Sequence, residues 1–336
     1  MSWRSTLEDM SSLRSKIATI SSTLLLLSLV FSPVAIAEDP GLPPVTHTLS
    51  AKSLAKMKVY EDVAYASQSP NQRLDLYMPK GVKNPPLMIW FHGGGFMVFD
   101  ENFMKTNESA KFLEAMIANG LAVASINYRL GTEALYPAAG IDAKSAVRYL
   151  RAKASKYGFN SKKFAVGGES AGAYLALMTA ITGDQPSIFD NANDPNISTS
   201  AKVSAAVSLF GNANFATMAS QLVEHPCPTP LPVPPADFHP WFGNLTSAEG
   251  QAAFASANLY PLLKTNKSLP TFYIYHGAAD CFVSSFTSTE INSEVKALRG
   301  KSTLTIVPGA IHGDPKIWDK AYKVGPTLKK LFAASK

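Results

Sequence analysis

Five residues, Gly168-Glu169-Ser170-Ala171-Gly172, constrain this chain more than any other stretch. Phe164 to Val166, directly before them, is a short run of strand character, and Leu175 and Leu177, directly after them, continue a helical period. A serine between two glycines at a strand-to-helix junction fits a sharp turn that lifts its hydroxyl above a sheet, and only small flanking residues let such a turn close. The five-residue pattern alone arises often by chance; its placement is what makes it informative. Ser170 is therefore the expected nucleophile.

A serine nucleophile passes through a tetrahedral oxyanion, which needs N–H donors fixed where the charge develops. His92-Gly93-Gly94-Gly95-Phe96 closes the strand candidate Leu87 to Phe91, and its glycines let the backbone approach a substrate. Gly93 and Gly94 are the expected donors, with Ala171 as the third. The alternative is a flexible glycine turn. The base has to come from six histidines. His47 precedes the core, His92 belongs to the glycine turn, and His225 and His239 flank a proline-rich stretch. His276 ends a strand candidate before Gly277 and reads as a structural hydrogen-bonding residue. His312 follows the last strand candidate and Pro308-Gly309, at the same sheet edge as Ser170, and is the expected base. The orienting carboxylate should lie between serine and histidine in the chain, and Asp280 does. Asp314 is its rival, although two residues from His312 it is better explained as the cap of a helix starting at Pro315. Glu169 either tunes the field at Ser170 or merely serves the turn.

Strand-like runs alternate with longer stretches of helical period, the pattern of a mostly parallel sheet covered by helices. The strand candidates are Met57 to Tyr65, Arg73 to Tyr77, Leu87 to Phe91, Ala122 to Tyr128, Lys163 to Val166, Ala205 to Leu209, Thr271 to Tyr275 and Thr303 to Val307. The first two are expected to pair antiparallel, because their link is too short for a helical crossover. Helices are expected over Ser109 to Asn119, Ile141 to Lys156, Ala171 to Thr182, Ser288 to Leu298 and Pro315 to Phe332. Gly211 to Leu263 fits neither pattern, and Pro226 to Pro240 holds seven prolines. It is expected to be an inserted loop, either a stiff surface connection or a lid with Phe238, Trp241 and Phe242 as apolar wall. Phe96 and Glu169 are further pocket candidates.

Arg14 and Lys16 precede an apolar run from Ile17 to Val30, and Ala35-Ile36-Ala37 supplies small residues for cleavage, so residues 1–37 read as an export signal and 38–336 as one domain. The run is short and hydroxyl-rich for a bilayer span, which disfavours an uncleaved anchor; Glu8 and Asp9 leave Met10 as an alternative start. Cleavage would leave the chain one unit less positive than its formal +6. The lysines are scattered, which argues for solubility more than for nucleic acid or a membrane surface. No phosphate loop or metal cluster is visible in the sequence, and no cofactor is expected. Cys227 and Cys281 are the two cysteines, and export makes a single bridge between them the expectation, with two buried thiols as the alternative.

The glycine turn His92 to Phe96, Tyr128-Arg129-Leu130, Gly168 to Gly172 and His276-Gly277 with Asp280 occur in that order. Together they resemble the bacterial carboxylesterases and the hormone-sensitive-lipase-like branch of the α/β-hydrolases, from about Arg73 to His312. Leu74-Asp75-Leu76-Tyr77 with Pro79 also resembles the early strand of exported feruloyl- and acetylxylan-esterase-like members. The resemblance implies an eight-stranded, mostly parallel α/β-hydrolase sheet with helices on both faces. It also implies a small-molecule ester substrate: Ser170 attacks the carbonyl, His312 takes the proton and Asp280 holds the imidazole. The three glycines resemble the turn of relatives that tolerate bulky alcohol groups, so a hindered, aromatic or carbohydrate-linked ester is within the implied range. Ala173, where many relatives have glycine, and the proline-rich insert depart from the pattern and bear on substrate preference. An amidase or peptidase using the same residues is the runner-up, and a non-catalytic binding module is the reading from another class.

Overall fold

The computed structural model describes residues 45–217 and 237–334. Among these residues the expected strands form one eight-stranded sheet: β1 (Met57–Ala64), β2 (Arg73–Pro79), β3 (Leu87–Phe91), β4 (Ala122–Ile126), β5 (Phe164–Glu169), β6 (Ala205–Leu209), and, beyond a small hairpin of β7 (Phe238–His239) and β8 (Gly243–Asn244), β9 (Thr271–Gly277) and β10 (Ser302–Val307). The spatial order is β1-β2-β4-β3-β5-β6-β9-β10. β2 pairs antiparallel with β1 and with β4, and every other pair is parallel. The central strands are apolar at nearly every position because helices cover both faces, as a parallel sheet requires.

Alternation along the strands divides the core in two. Leu87, Ile89 and Phe91 face a cluster with Ala139, Ala143 and Val147 of helix Ala138–Ala152 and Tyr174 and Met178 of helix Ala171–Thr182. Met88 and Trp90 face the other side, against Phe112 and Met116 of helix Asn107–Ala118 and Trp318, Leu328 and Phe332 near the C-terminus. Each cluster includes many side chains with no exposed surface, and at roughly 25 cal/mol per Å² of buried apolar area this burial dominates the folding drive.

Three expectations need correction. The helix expected over Ile141 to Lys156 is two helices, Ala138–Ala152 and Ala154–Tyr157. The helix expected over Pro315 to Phe332 is two helices, Pro315–Ala321 and Val324–Ala334. Pro326 explains the break: it has no N–H to give, and its ring would collide with the carbonyl of Tyr322 if the helix ran through. The insert is not one irregular loop either. Its described part holds the hairpin and two helices, Ala248–Ser256 and Tyr260–Thr265, the first capped by Ser247, whose hydroxyl accepts from Gly250 N at 3.0 Å. Residues 218–236, with Cys227, and the expected export signal lie outside the described residues.

Candidate active site

Because the central strands run parallel, their C-terminal ends share one edge, and Ser170, Gly277 and the loop after Val307 all emerge there. Ser170 joins β5 to helix Ala171–Thr182 with φ 52° and ψ −118°. This is a conformation that non-glycine residues avoid, and it holds the hydroxyl clear of both elements. The turn closes only because its flanks are bare. A Cβ on Gly168 would strike the backbone of Gly172, and one on Gly172 would strike the carbonyls of Phe91 and His92. Leu209 O fixes the turn by accepting from Ser170 N at 3.0 Å.

His312 comes down from the loop after β10 to Ser170. Its Nε2 lies 3.1 Å from Ser170 Oγ, and its Nδ1 lies 2.8 Å from Asp280 Oδ2. With Nδ1 donating to the carboxylate, Nε2 is the bare nitrogen that can accept the serine proton. Asp280 is buried, and its Oδ1 accepts from the amides of Phe282 and Val283, both at 2.9 Å. Burial alone would raise its pKa, but hydrogen bonds from His276 and His312 prevail and hold it well below the usual carboxylate range. Asp314 takes the capping place expected of it, accepting from Lys316 N at 2.9 Å. His276 is hydrogen-bonded, as expected, but to an unforeseen partner: its Nε2 is 3.1 Å from the same Asp280 Oδ2. The four-residue spacing from His276 to Asp280 around the Gly277 turn was the available signal, and it says nothing by itself about direction.

The glycine turn is held from two sides. Tyr128 Oη donates to the carbonyl of His92 at 2.7 Å and lies 3.0 Å from that of Gly93. Glu169 is buried beneath the turn, where its Oε1 accepts from Gly93 N and its Oε2 from Trp90 Nε1 at 2.8 Å. Burial pushes the Glu169 carboxyl up to about 8, against the two N–H donors that favour its charged form. This corrects two expectations. Gly93 is not free to serve an oxyanion, since its amide is already committed to Glu169, and Glu169 lines no open pocket. Among the described residues no protein acceptor takes the N–H of Gly94, Gly95 or Ala171. Gly94 has φ 86°, and a Cβ there would strike Val98 O. That geometry holds the turn in a shape open to glycine alone.

The aromatic wall is also different from the expected one. Trp241 and Phe242 are buried, and Trp241 stacks on Phe96 with ring centroids 4.0 Å apart. Trp241 O accepts from Tyr136 N at 2.7 Å, so this part of the insert is pinned into the core and cannot swing as a wall. Phe238 on β7 is exposed. Sequence reasoning missed the rings that do stand at the reacting atoms: Phe210 and Phe282 lie 4.7 and 5.0 Å from the His312 ring. Phe282 and Ile311 are 43% and 60% exposed, which leaves an apolar rim open to solvent beside His312.

A half-buried serine and histidine backed by a buried carboxylate, beside a turn of unclaimed amides, suit acyl transfer, and comparison with known proteins agrees. Residues 74–295 match the BD-FAE family model. Esterase LipC of Mycobacterium tuberculosis is 25% identical over 90% of this chain and 71% of its own length; LipQ of the same organism is 23% identical, with 56% of its length spanned. Among solved structures, a truncated carbohydrate esterase from gut microbiota superposes with a TM-score of 0.66 at 22% identity, covering 84% of this chain and all of the other. Butyrate-bound esterase 2 of Thermogutta terrifontis superposes at 0.62 with 20% identity, covering 84% and 97%. At those identities the structures speak for the fold, an α/β-hydrolase. With about two thirds of its length matched by the family model, and with the site geometry that such an enzyme needs, this chain belongs to the BD-FAE family of α/β-hydrolase esterases.

Proposed function

We propose that this chain hydrolyses carboxylic esters through an acyl-enzyme on Ser170, and that its substrates are small or aromatic acyl groups carried by carbohydrate. The observation that carries the mechanism is the continuous path Ser170 Oγ, His312 Nε2, His312 Nδ1, Asp280 Oδ2, with steps of 3.1 and 2.8 Å. As Ser170 Oγ bonds to the ester carbon, its proton passes to His312 Nε2, and Asp280 stabilises the imidazolium that forms. The carbonyl oxygen takes the electron pair and is met by the amides of Gly94, Gly95 and Ala171. His312 then returns the proton to the departing alkoxide, and water repeats the sequence to free the acid. The carbohydrate part draws support from the gut carbohydrate esterase, and the small-acyl part from the propionate and butyrate complexes of the Thermogutta enzyme. The apolar rim of Phe282 and Ile311 suits an aromatic or alkyl acyl group better than a charged one.

Ser170→Ala should lower turnover of p-nitrophenyl acetate by about 10⁴- to 10⁶-fold while melting at nearly the wild-type temperature. A labelled fluorophosphonate should modify the wild-type serine. Near-normal turnover by the alanine variant would sink the mechanism. Matched anilides should be turned over far more slowly than esters, and the reverse would favour the amidase reading.

Export would suit a carbohydrate ester met outside the cell, and a bridge between Cys227 and Cys281 fits export. It would close a loop of about 54 residues and contribute about 4 kcal/mol if unstrained. Mass spectrometry of the secreted chain under denaturing, non-reducing conditions should find a start at Glu38 and no titratable thiol. Two free thiols, or a start upstream of Ala37, would refute the respective expectation.

A further inference from the structure

Asp280 Oδ2 is claimed by two imidazoles, and one of them never reaches Ser170. His276 is wholly buried on β9, with Nε2 at 3.1 Å from Asp280 Oδ2 and 2.8 Å from Val283 O. Both of these atoms are acceptors, so Nε2 must carry a hydrogen. On the far side of the ring, Nδ1 lies 2.7 Å from Ser288 Oγ on helix Ser285–Ala297. A hydroxyl can donate there, which satisfies the bare nitrogen of the neutral ring and selects the tautomer that points N–H at Asp280.

We propose that His276 is a positioning residue that tunes the basicity of His312 by sharing the carboxylate oxygen on which His312 leans, with Ser288 fixing its tautomer. The inference rests on the role given above to Ser170, His312 and Asp280. An oxygen that accepts a second N–H has less negative charge to offer the first. The imidazolium of His312 is then stabilised less than it would be by an unshared carboxylate. The surroundings leave few other sources for such tuning. The β10 partner of His276 is Ile306, Ser288 is uncharged, Phe210 at the end of β6 is apolar, and Asp280 Oδ1 is taken up by two amides. The titratable groups in this chain of hydrogen bonds are Asp280, His312 and His276 itself. A residue that merely packed would change melting temperature and leave the pH profile where it was.

The test uses the whole chain and the acid limb of kcat/KM against pH with p-nitrophenyl acetate. His276→Leu removes the competing donor, so the limb should move to higher pH by about 0.5 to 1 unit. His276→Gln, whose amide N–H can reach the same oxygen, should hold the limb near the wild-type position. Ser288→Ala leaves the ring in place without its lock and should move the limb in the same direction by less. If His276→Leu fails to fold, two measurements still decide: the Ser288→Ala profile, and the nitrogen-15 spectrum of histidine-labelled wild-type protein. The spectrum should show His276 with Nε2 protonated and Nδ1 bare at neutral pH. A His276 protonated on Nδ1, or an acid limb unmoved in every folded variant, overturns the proposal. If Ser170→Ala were still active, the underlying mechanism would fail instead; an inactive Ser170→Ala with an unmoved limb sinks the role of His276 alone.

Discussion

Two carboxyl groups are buried within reach of Ser170, and their surroundings drive them in opposite directions. Asp280 has four N–H donors, two from amides and two from imidazoles, and is held well below its ordinary pKa. Glu169 has two donors, both neutral, and burial carries it up to about 8. Depth is similar in the two cases. What separates them is how many donors each oxygen receives and whether a partner can carry positive charge. Asp280 is built to be charged while a cation forms beside it. Glu169 is built into a frame, tying the glycine turn to the tryptophan of the neighbouring strand. A pair of titratable groups pushed apart in this way marks a division of labour between charge stabilisation and positioning.

The comparison breaks most visibly at Asp280. Asp280→Asn keeps the volume but removes the charge and offers an amide that can face His312 with the wrong end, so kcat should fall by about 10³- to 10⁴-fold. The acid side of the stability curve should change with it. A carboxyl held below its ordinary value of 3.8 contributes stability that is fully present above that value and is lost as pH falls through the lowered one. Acid unfolding, followed by circular dichroism, should therefore be less steep in the asparagine variant. A loss of activity under tenfold would remove Asp280 from the reaction.

Asp280 could be read in the sequence because chain order and strand ends do the work: it follows β9, precedes His312, and has one rival already explained by a helix cap. Ser170 was legible for the same reason, since the elbow needs small residues at fixed offsets from a strand and a helix. The sheet was legible almost strand by strand from β-branched and aromatic runs. What was not legible depends on where side chains point after the layers have packed. The amide of Gly93 looks like that of Gly94 in the sequence, and only the burial of Glu169 between Gly93 and Trp90 tells them apart. Trp241 looked like a pocket wall because loops this long in a compact domain are often functional, yet its stacking on Phe96 draws it into the core. The helix expected from Pro315 to Phe332 had its start read from Asp314 and Pro315, while the break at Pro326 follows from its missing N–H and ring clash.

The smaller effect is expected at Glu169, and it tests the other half of the comparison. In Glu169→Gln one acceptor oxygen becomes an N–H₂ group facing an N–H donor, so either Gly93 N or Trp90 Nε1 loses its partner, at about 1–3 kcal/mol. If the carboxyl frames the oxyanion turn, the loss falls on the transition state: kcat drops by roughly 10- to 100-fold with KM little changed. The pH dependence has the opposite sign from that at Asp280. A carboxyl raised from 4.5 to about 8 contributes stability that is present below 4.5 and is lost as pH rises through about 8. Wild-type protein should therefore lose melting temperature from pH 5 to 8 more steeply than Glu169→Gln, by differential scanning calorimetry at several pH values. Equal slopes, or a variant that raises KM and leaves kcat alone, would return Glu169 to the role of a side chain that merely fills the space under the turn.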